Sequence, residues 1–472
     1  MVDRYLPDHC PHRDAVDNTA AHTAGLLGFR SGFYDCLSSW GDALFELSDA
    51  LLCAPAPVSS VPALSLEPTF RRSHGSLYKA LARGDIDTER VRALLMEHRP
   101  PDWPLVFAVD ASSWPRCDAE TSPERGFYYS ASKHSAGKPI VAGWSYQWIS
   151  QLDWAADSWT APLDAQRIPP TENSTTATIA QVRRLLATLP TQDAVPMFVF
   201  DAGYDPIAIG HELREDRVQV LVRISPKRVF HPDPPPRPAG ARGRPRRHGP
   251  RFALSDPASW PTPDAEHHVR DKVYGDVHVQ AWHGLHPKLA SKGRWAGAGA
   301  APIVTGTVIR VQVEHLPKPH GQALKTLWLW WSGPGQPDLD LCWRAYLRRF
   351  DIEHTYRFAK NTLGWTTPAL RTPEQADRWT WLIIAAYTQL RLARCLVADL
   401  IQWLAESRVV SGAVGVEVGG QVDVGVAPAH CPDPPDVPAP DRFARCSGAS
   451  THSSYGIRAD QSVGGHGACR AG

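Results

Sequence analysis

Hydrophobic residues recur at helical spacing in the first hundred residues. Residues 29–52 carry this pattern and are predicted to be helical. Further along, SHGSLYKALARG and DTERVRALLMEH predict two short helices separated by Gly84-Asp85. Such a pair is commonly a plain helical hairpin, with a DNA-binding helix-turn-helix as the alternative. Residues 1–100 are therefore predicted to form a helical N-terminal region that could bind DNA.

From about residue 101 the pattern changes to short apolar runs of strand length. These runs are LVFAVDAS (105–112), FYYSAS (127–132), KPIVAGWSYQWISQL (138–152), PMFVFDAGYD (196–205) and VQVLVRI (218–224). An amphipathic helix is predicted over 174–189. Strands that alternate with helices in this way favour an α/β fold with a mixed sheet, and residues 101–224 are predicted to form its first part.

A β-rich insertion and a second pair of helices are predicted next. The insertion covers 225–339 and begins with an exposed Pro/Arg loop over 231–252. Its predicted strands are 273–283, 303–316 and 325–332. Helices over 340–364 and 373–405 then complete the core over 340–407. Residues 408–472 show no periodicity and are predicted to be unstructured, and one hypothesis is that this tail is translated out of frame after a small deletion.

Composition indicates a globular protein of two or three domains. The chain has 472 residues, of which 43% are hydrophobic and 21% charged, values that exclude wholesale disorder. No apolar run reaches the roughly 18 residues of a membrane span, and the N-terminus lacks the apolar segment of a signal peptide. A soluble cytoplasmic protein is expected. The net charge is only +1, so any nucleic-acid partner would have to bind a local basic surface.

The cysteines indicate neither a disulfide framework nor a zinc site. There are nine, they are scattered, and no two form a CxxC motif. Cys10 lies between His9 and His12, and this small cluster is attributed to a solvated N-terminal tail. No glycine-rich phosphate loop is present, so no nucleotide cofactor is expected.

Four polar residues share one face of the predicted helix over 340–364. Tyr346, Arg349, Glu353 and Lys360 fall within an arc of about 60° and span four turns, whereas Asp351 points to the other side. An ordinary solvated face with an Arg349–Glu353 pair is an equally good interpretation of these residues alone.

Two aspartates end apolar runs of strand type. Asp110 ends VFAVD and Asp201 ends MFVFD, where a carboxylate would face either a partner or a metal ion. A turn-capping aspartate is the alternative, especially in DAGYD. Together with Glu353, however, two such aspartates can hold two Mg²⁺ ions about 4 Å apart for phosphoryl transfer.

The spacing Y-(2)-R-(3)-E-(6)-K from Tyr346 to Lys360 resembles the signature of bacterial insertion-sequence transposases of the DDE class. VFAVDAS and DAGYD resemble the first and second Asp motifs of that group, and their order and separation also fit. The resemblance covers about residues 20–400.

The resemblance implies a ribonuclease-H-like catalytic domain with a mixed sheet flanked by helices, interrupted by the β-rich insertion and preceded by the helical N-terminal region. Asp110, Asp201 and Glu353 would be the catalytic residues and the ligands of two Mg²⁺ ions, for which Mn²⁺ may substitute. With the ions bound, water would nick DNA at the transposon end, and the freed 3′-OH would attack the other strand or the target. Tyr346, Arg349 and Lys360 would hold DNA phosphates.

The implied partners are the terminal inverted repeats of the element and its target DNA, bound by a homodimer. The protein would be cytoplasmic and associated with the bacterial nucleoid, without membrane attachment. Two alternatives stay open from the sequence: a catalytically inactive DNA-binding relic or repressor of the element, and a stand-alone structure-specific nuclease.

Two further segments fit DNA binding. The Pro/Arg loop contains Arg244, Arg246 and Arg247, which could contact several phosphates, although a basic linker without a DNA role is the alternative. Trp328, Trp330 and Trp331 lie in the insertion, where related enzymes use an aromatic residue to stack a flipped base. Ordinary burial in a strand is the favoured interpretation of these three tryptophans.

Overall fold

The computed structural model describes residues 15–413, apart from 56, 130–138, 156, 191–193, 241, 297–299 and 317–325, and it describes side chains between residues 19 and 396. The chain divides into two units, Met1–Val410 and Ser411–Gly472. The second unit contributes only the end of the last helix to the described residues. The predicted cluster of Cys10 with His9 and His12, and the tail from 414 onward, lie outside them.

Five helices and a small sheet form the N-terminal region: α1 (Ala15–Asp35), β1 (Leu37–Ser39), α2 (Gly41–Cys53), α3 (Val61–Leu64), α4 (His74–Arg83), β2 (Asp85–Ile86) and α5 (Thr88–Glu97). The structure contains α4 and α5 at the two short helices predicted on either side of Gly84-Asp85. Most of residues 29–52 are helical as predicted, but they are divided between α1 and α2. The chain leaves the helix after Asp35 because β1 pairs with β2, and Trp40 turns it back with a positive φ of 57°.

The first part of the core contains β3 (Val106–Pro115), β4 (Gly126–Tyr129), β5 (Ile140–Leu152), β6 (Thr160–Ile168), α6 (Ser174–Thr188), β7 (Met197–Phe200), α7 (Pro206–Glu212) and β8 (Gln219–Ile224). Asn173 caps α6 by accepting hydrogen bonds from Thr175 N and Thr176 N, and Asp205 caps α7 in the same way. These caps explain why both helices begin directly after polar residues.

The region after β8 contains β9 (Val229–Phe230), β10 (Phe252–Ala253), β11 (Ala265–Asp271), β12 (Gly275–Leu285), β13 (Gly306–Val313) and β14 (Thr326–Ser332), with short 3₁₀ helices at Pro257–Ser259 and Gly293–Trp295. Helices α8 (Leu339–Arg348), α9 (Asp351–Asn361) and α10 (Pro373–Ala413) follow. Strand β11 is absent from the sequence prediction. Helix α10 extends past its predicted end at 405 and therefore into the segment predicted to lack structure.

One mixed sheet of ten strands organises the fold. Its order is β11-β12-β13-β14-β8-β7-β3-β5-β4, and β6 also pairs with β5. Strands β3, β7 and β8 are parallel, and the other pairs are antiparallel. This arrangement confirms the predicted mixed α/β class and is consistent with a ribonuclease-H-like core. Strands β11–β14 of the β-rich segment extend this sheet, since β14 pairs with β8, whereas β9 and β10 pair with each other in a separate two-stranded sheet.

Two hydrophobic clusters stabilise this sheet. The larger one joins the N-terminal helices, the central strands and α8–α10, and includes Phe29, Leu81, Phe107 and Ile383. The smaller one lies under the segment between β8 and β11 and includes Phe230, Phe252, Trp282, Trp328 and Trp330. The N-terminal helices therefore share their core with the sheet.

The helix predicted over 340–364 is interrupted at Arg349 and Phe350. Backbone hydrogen bonds there run three residues back, from Phe350 N to Leu347 O (3.4 Å) and from Glu353 N to Phe350 O (3.0 Å). Such 3₁₀-type bonds tighten the chain and rotate the residues that follow relative to a continuous α-helix. The four polar residues of the predicted stripe therefore lie on two helices and the turn between them.

Trp365 lies at the centre of an aromatic cluster next to the sheet. It is fully buried, its ring contacts those of Trp148 (centroids 4.7 Å apart) and Tyr356 (5.7 Å), and its Nε1 donates to Thr380. We expect Trp365→Ala to lower the free energy of unfolding by about 3–5 kcal/mol, because it leaves a cavity and removes the hydrogen bond to Thr380.

Urea unfolding followed by circular dichroism measures this loss. Phe127→Ala is the matched control, because Phe127 is 78% exposed, and its effect should stay within about 0.5 kcal/mol. A loss below about 1 kcal/mol for Trp365→Ala would contradict the proposed packing role.

Candidate active site

Asp110 and Asp201 each follow the last paired residue of two neighbouring parallel strands. The last paired residues of β3 and β7 are Val109 and Phe200, and each aspartate comes directly after one of them. The backbones of adjacent strands are about 4.8 Å apart, and residues in register on parallel strands point to the same face. The register of two buried strands thus brings these carboxylates together.

The prediction that Asp110 ends its strand is wrong. Strand β3 continues to Pro115, because Asp110 and the residues after it still pair with β5, as in Asp110↔Trp148. The Asp110 carboxylate accepts a hydrogen bond from Ala111 N (2.9 Å), and its carbonyl accepts one from the Tyr356 hydroxyl (2.6 Å). Tyr356 was not predicted to lie here, since its contact depends on how α9 packs on β3.

Asp201 begins a turn, as the alternative interpretation of DAGYD proposed. Its carboxylate accepts a hydrogen bond from Gly203 N. The turn does not exclude a place in the site, because the same side chain is close enough to Asp110 for its negative charge to raise the Asp110 pKa.

Arg349 joins Glu353 to Asp110. Its Nη1 lies 3.4 Å from an Asp110 carboxylate oxygen, and its Nη2 lies 3.1 Å from Glu353 Oε1. The Arg349 side chain is only 2% exposed, whereas Glu353 is 46% exposed. The predicted i,i+4 pair between Arg349 and Glu353 is therefore present. Arg349 also pairs with Asp110, so it links the carboxylate of α9 to the carboxylate of β3.

Burial is the largest influence on Asp110 and raises its pKa to about 6. The Arg349 guanidinium opposes this effect, while the negative charges of Asp201 and Glu353 add to it. For Arg349, burial disfavours the charged form, but the Asp110 carboxylate and its other neighbours outweigh burial and raise the pKa. The site is thus an acidic cluster with one buried cation.

These three carboxylates supply the donor type that hard divalent cations prefer, and the cluster already accommodates positive charge. In the described part of the chain, the oxygens of the three carboxylates are not all within 4.8 Å of one another, so they are too far apart to share one ion. Arg349 lies between Asp110 and Glu353. The donor set therefore fits metal ions that would replace the guanidinium between the acids.

Tyr346 and Lys360 lie beside this cluster. Tyr346 is 1% exposed, and its environment includes Arg223 of β8. Lys360 Nζ donates to Ser112 Oγ (2.7 Å) and to Ser113 O (3.3 Å), on the strand that carries Asp110. All four residues of the predicted stripe are therefore close to β3 or its neighbours, although Tyr346 does not present a free surface.

The other predicted DNA contacts lie elsewhere. Arg244, Arg246 and Arg247 are exposed in the loop between β9 and β10, and Arg247 donates to Ala301 O (2.7 Å). Trp328, Trp330 and Trp331 are 5%, 0% and 3% exposed, respectively. Their burial in β14 agrees with the favoured interpretation of ordinary strand packing and leaves none of these three rings exposed for a base.

One cluster of potential ligands was missed by sequence reasoning. Glu266 and His268 of β11 face His278 of β12, with ligand atoms all within 4.8 Å of one another. The alternation of AEHHVRD was a signal for it, but a zinc site was sought only through cysteine spacing.

A model of the family "DDE superfamily endonuclease" matches residues 32–288, which is more than half of the chain. The chain belongs to this family. The match includes Asp110 and Asp201 and ends before Glu353. Membership confirms the DDE part of the sequence prediction, and endonucleases of this superfamily generally use divalent metal ions.

Comparison with curated proteins gives no match. Among solved structures, the piggyBac transposase synaptic complex with hairpin DNA is similar with a TM-score of 0.35 and 11% sequence identity, over 87% of this chain and 79% of that chain. A TM-score of this size does not establish a shared fold. No helix among the described residues combines the length and apolar composition that a bilayer span requires.

The Asp110 carboxyl of the metal-free protein is expected to titrate with a pKa of about 6. In Arg349→Gln its pKa should rise further, because the guanidinium lowers it. ¹³C NMR of labelled aspartate measures both values, and Asp110→Asn assigns the signal. An Asp110 pKa that is unchanged or lower in Arg349→Gln would refute the bridge.

The sign of the linked effect on stability follows from the same shift. The folded protein holds the Asp110 proton more tightly than the unfolded chain, whose carboxyl has a pKa near 3.8. This group therefore lowers stability as pH rises from about 4 to 6, and its cost is constant above that range.

Proposed function

We propose that this protein is a DNA transposase that cuts the ends of an insertion sequence and joins them to other DNA, with Asp110, Asp201 and Glu353 as its catalytic residues. The observation that carries the proposal is the convergence of these three acids from β3, β7 and α9 in a member of a DDE endonuclease family. Two Mg²⁺ ions, or Mn²⁺ in their place, would supply activation of the attacking oxygen and neutralisation of the charged phosphate when bound.

Arg349 has two roles in this proposal. Without metal it holds Asp110 and Glu353 together and offsets their repulsion. With metal ions bound by the three acids, the Arg349 guanidinium would be available to bind a DNA phosphate, for which its planar donors are well suited.

Lys360 and Tyr346 would support the same phosphate site. Lys360 Nζ already lies two residues along β3 from Asp110, through Ser112, so its charge would attract the backbone of a DNA strand that enters the cluster. Tyr346 packs under the turn that carries Arg349, with ring–guanidinium separation of 5.9 Å. Because Tyr346 is only 1% exposed, we assign it to positioning Arg349 rather than to direct phosphate binding.

The remaining organisation is proposed from the sequence resemblance. Residues 1–100 would bind the terminal inverted repeats, the core (101–224 and 340–407) would cut DNA, and the insertion (225–339) would bind it through the basic loop. The active form would be a homodimer on the two element ends and target DNA, in the bacterial cytoplasm and near the nucleoid.

Asp110→Asn, Asp201→Asn and Glu353→Gln should each reduce metal-dependent cleavage at least about 1000-fold, because each removes a ligand worth several kcal/mol of charge stabilisation. The assay follows strand nicking and joining on a duplex that carries the inverted repeats flanking the gene, with Mg²⁺ or Mn²⁺.

Asp351→Asn is the matched control for this series. Asp351 lies on the same helix but pairs with Arg348, away from the cluster, so its variant should cleave normally. Full activity in any of the three test variants would refute the assignment. End binding without cleavage by the wild type would support the inactive relic instead, and cleavage without joining would support a nuclease.

Removal of three arginines from the basic loop should lower the affinity for DNA and make that affinity less dependent on salt concentration. The triple variant Arg244→Gln, Arg246→Gln and Arg247→Gln is expected to reduce the slope of log K against log salt by about 3 if each arginine contacts one phosphate. Fluorescence anisotropy at several salt concentrations measures this slope.

The control removes the same charge from Arg183, Arg214 and Arg217. Arg214 and Arg217 lie just before β8, where the parallel strands begin. Asp201 lies where the parallel strands end, so these two arginines are at the opposite end of the strands from the acidic cluster. This control should leave the slope nearly unchanged. An equal fall in both triple variants would show that the basic loop has no particular part in binding.

A further inference from the structure

The outward face of the β11–β12 hairpin groups two imidazoles and a carboxylate. His268 pairs directly with His278, and Glu266 lies two residues before His268 on the same strand. Side chains two residues apart share a face, and burial alternates accordingly, with Glu266 and His268 exposed and His267 half-buried. This histidine–glutamate cluster is thus fixed by strand register.

The donor atoms of the cluster are spaced as ligands of one ion. Nε2 of His278 lies 3.6 Å from Glu266 Oε1, and Nε2 of His268 lies 3.9 Å from Glu266 Oε2. In a tetrahedral site with metal–ligand bonds of about 2.0–2.1 Å, ligand atoms are about 3.3–3.4 Å apart. These two separations exceed the tetrahedral spacing by only a few tenths of an ångström. The rings of His268 and His278 are stacked with their centroids 3.9 Å apart, so they would tilt to bring both nitrogens onto one ion.

His278 carries a nitrogen that the protein itself does not satisfy. Its Nε2 is buried and has no hydrogen-bond partner within the described part of the chain. Burial lowers the His278 pKa, with the charge of His268 as the next cause. A neutral imidazole with an open nitrogen is the form that binds a metal ion.

A chain of hydrogen bonds orients the carboxylate. Gln280 Nε2 donates to Glu266 Oε1 (2.8 Å), and Gln280 Oε1 accepts from Arg310 (2.9 Å). Arg310 in turn lies over the ring of Trp260, 5.0 Å from its centroid. Support of this kind fixes a metal ligand in place, and it connects the cluster to the smaller hydrophobic core.

The surrounding charges leave the cluster suited to a cation. At the next step of the ladder, Arg270 and Asp276 face the same side and neutralise each other at 2.9 Å. Arg310 donates to Gln280, and its charge also helps to lower the His278 pKa, which favours the neutral imidazole. On the inward face, His267 contacts Asp340 of α8 (3.2 Å), which anchors the hairpin to the rest of the fold.

We propose that Glu266, His268 and His278 bind one divalent transition-metal ion of the zinc type, which clamps the edge strand β11 to β12. Two imidazole nitrogens and one carboxylate oxygen are a borderline donor set, which prefers Zn²⁺ to Mg²⁺. The fourth position is left to water. This site differs in chemistry from the all-oxygen cluster around Asp110 and does not depend on the proposed DNA reaction.

Calorimetric titration of the full chain with Zn²⁺, with excess Mg²⁺ present to occupy carboxylate sites, tests this proposal. His268→Gln and His278→Gln should each lose one equivalent of bound Zn²⁺ or bind it at least about tenfold more weakly. His267→Gln removes a histidine from the opposite face of the same strand and should retain the site, as should Asp110→Asn.

Co²⁺ provides a readout that does not depend on stability. The visible absorption of bound Co²⁺ should be weaker in Glu266→Gln, a variant whose amide can still hydrogen bond with Gln280, and circular dichroism checks that each variant is folded. Unchanged Zn²⁺ binding in folded His268→Gln or His278→Gln would overturn the proposal. Loss of the same equivalent in Asp110→Asn would also overturn it, because the ion would then belong to the acidic cluster.

Discussion

Repulsion between carboxylates that are held close together in a partly buried site is the constraint on which this structure depends. Asp110 and Asp201 are adjacent because their strands pair in parallel, and Glu353 is brought to them by the packing of α9. Without a compensating cation, three such charges would destabilise the fold or become protonated. Arg349 provides that cation from a position that is almost fully buried.

In the structure the Arg349 guanidinium offsets part of this negative charge. In the proposed reaction, metal ions would offset it instead. The 3₁₀-type turn at Arg349 and Phe350 lies directly between Tyr346 and Glu353. It carries the guanidinium that joins Glu353 to Asp110. Lys360, held against Ser112, adds positive charge at the same edge.

Local pattern was enough to predict the central strands and the two aspartates, because buried parallel strands appear as continuous apolar runs that end in polar residues. It was also enough to predict that Arg349 and Glu353 share a face. It could not predict that β3 continues past Asp110, since that depends on pairing with β5, nor that the helix bends at Phe350. The burial of Trp330 depends on Phe230, far away in sequence, whose ring stacks on it at 5.3 Å. Strand β11 was missed because half of its residues are polar and exposed.

The central claim is that Asp110, Asp201 and Glu353 together bind metal ions in place of Arg349. Anomalous diffraction from crystals grown with Mn²⁺ and a transposon-end duplex tests it most directly. The account predicts manganese peaks within bonding distance of all three carboxylates, with the Arg349 guanidinium moved from between Asp110 and Glu353 to a DNA phosphate. Manganese bound elsewhere, with Arg349 still joining the two acids, would contradict it.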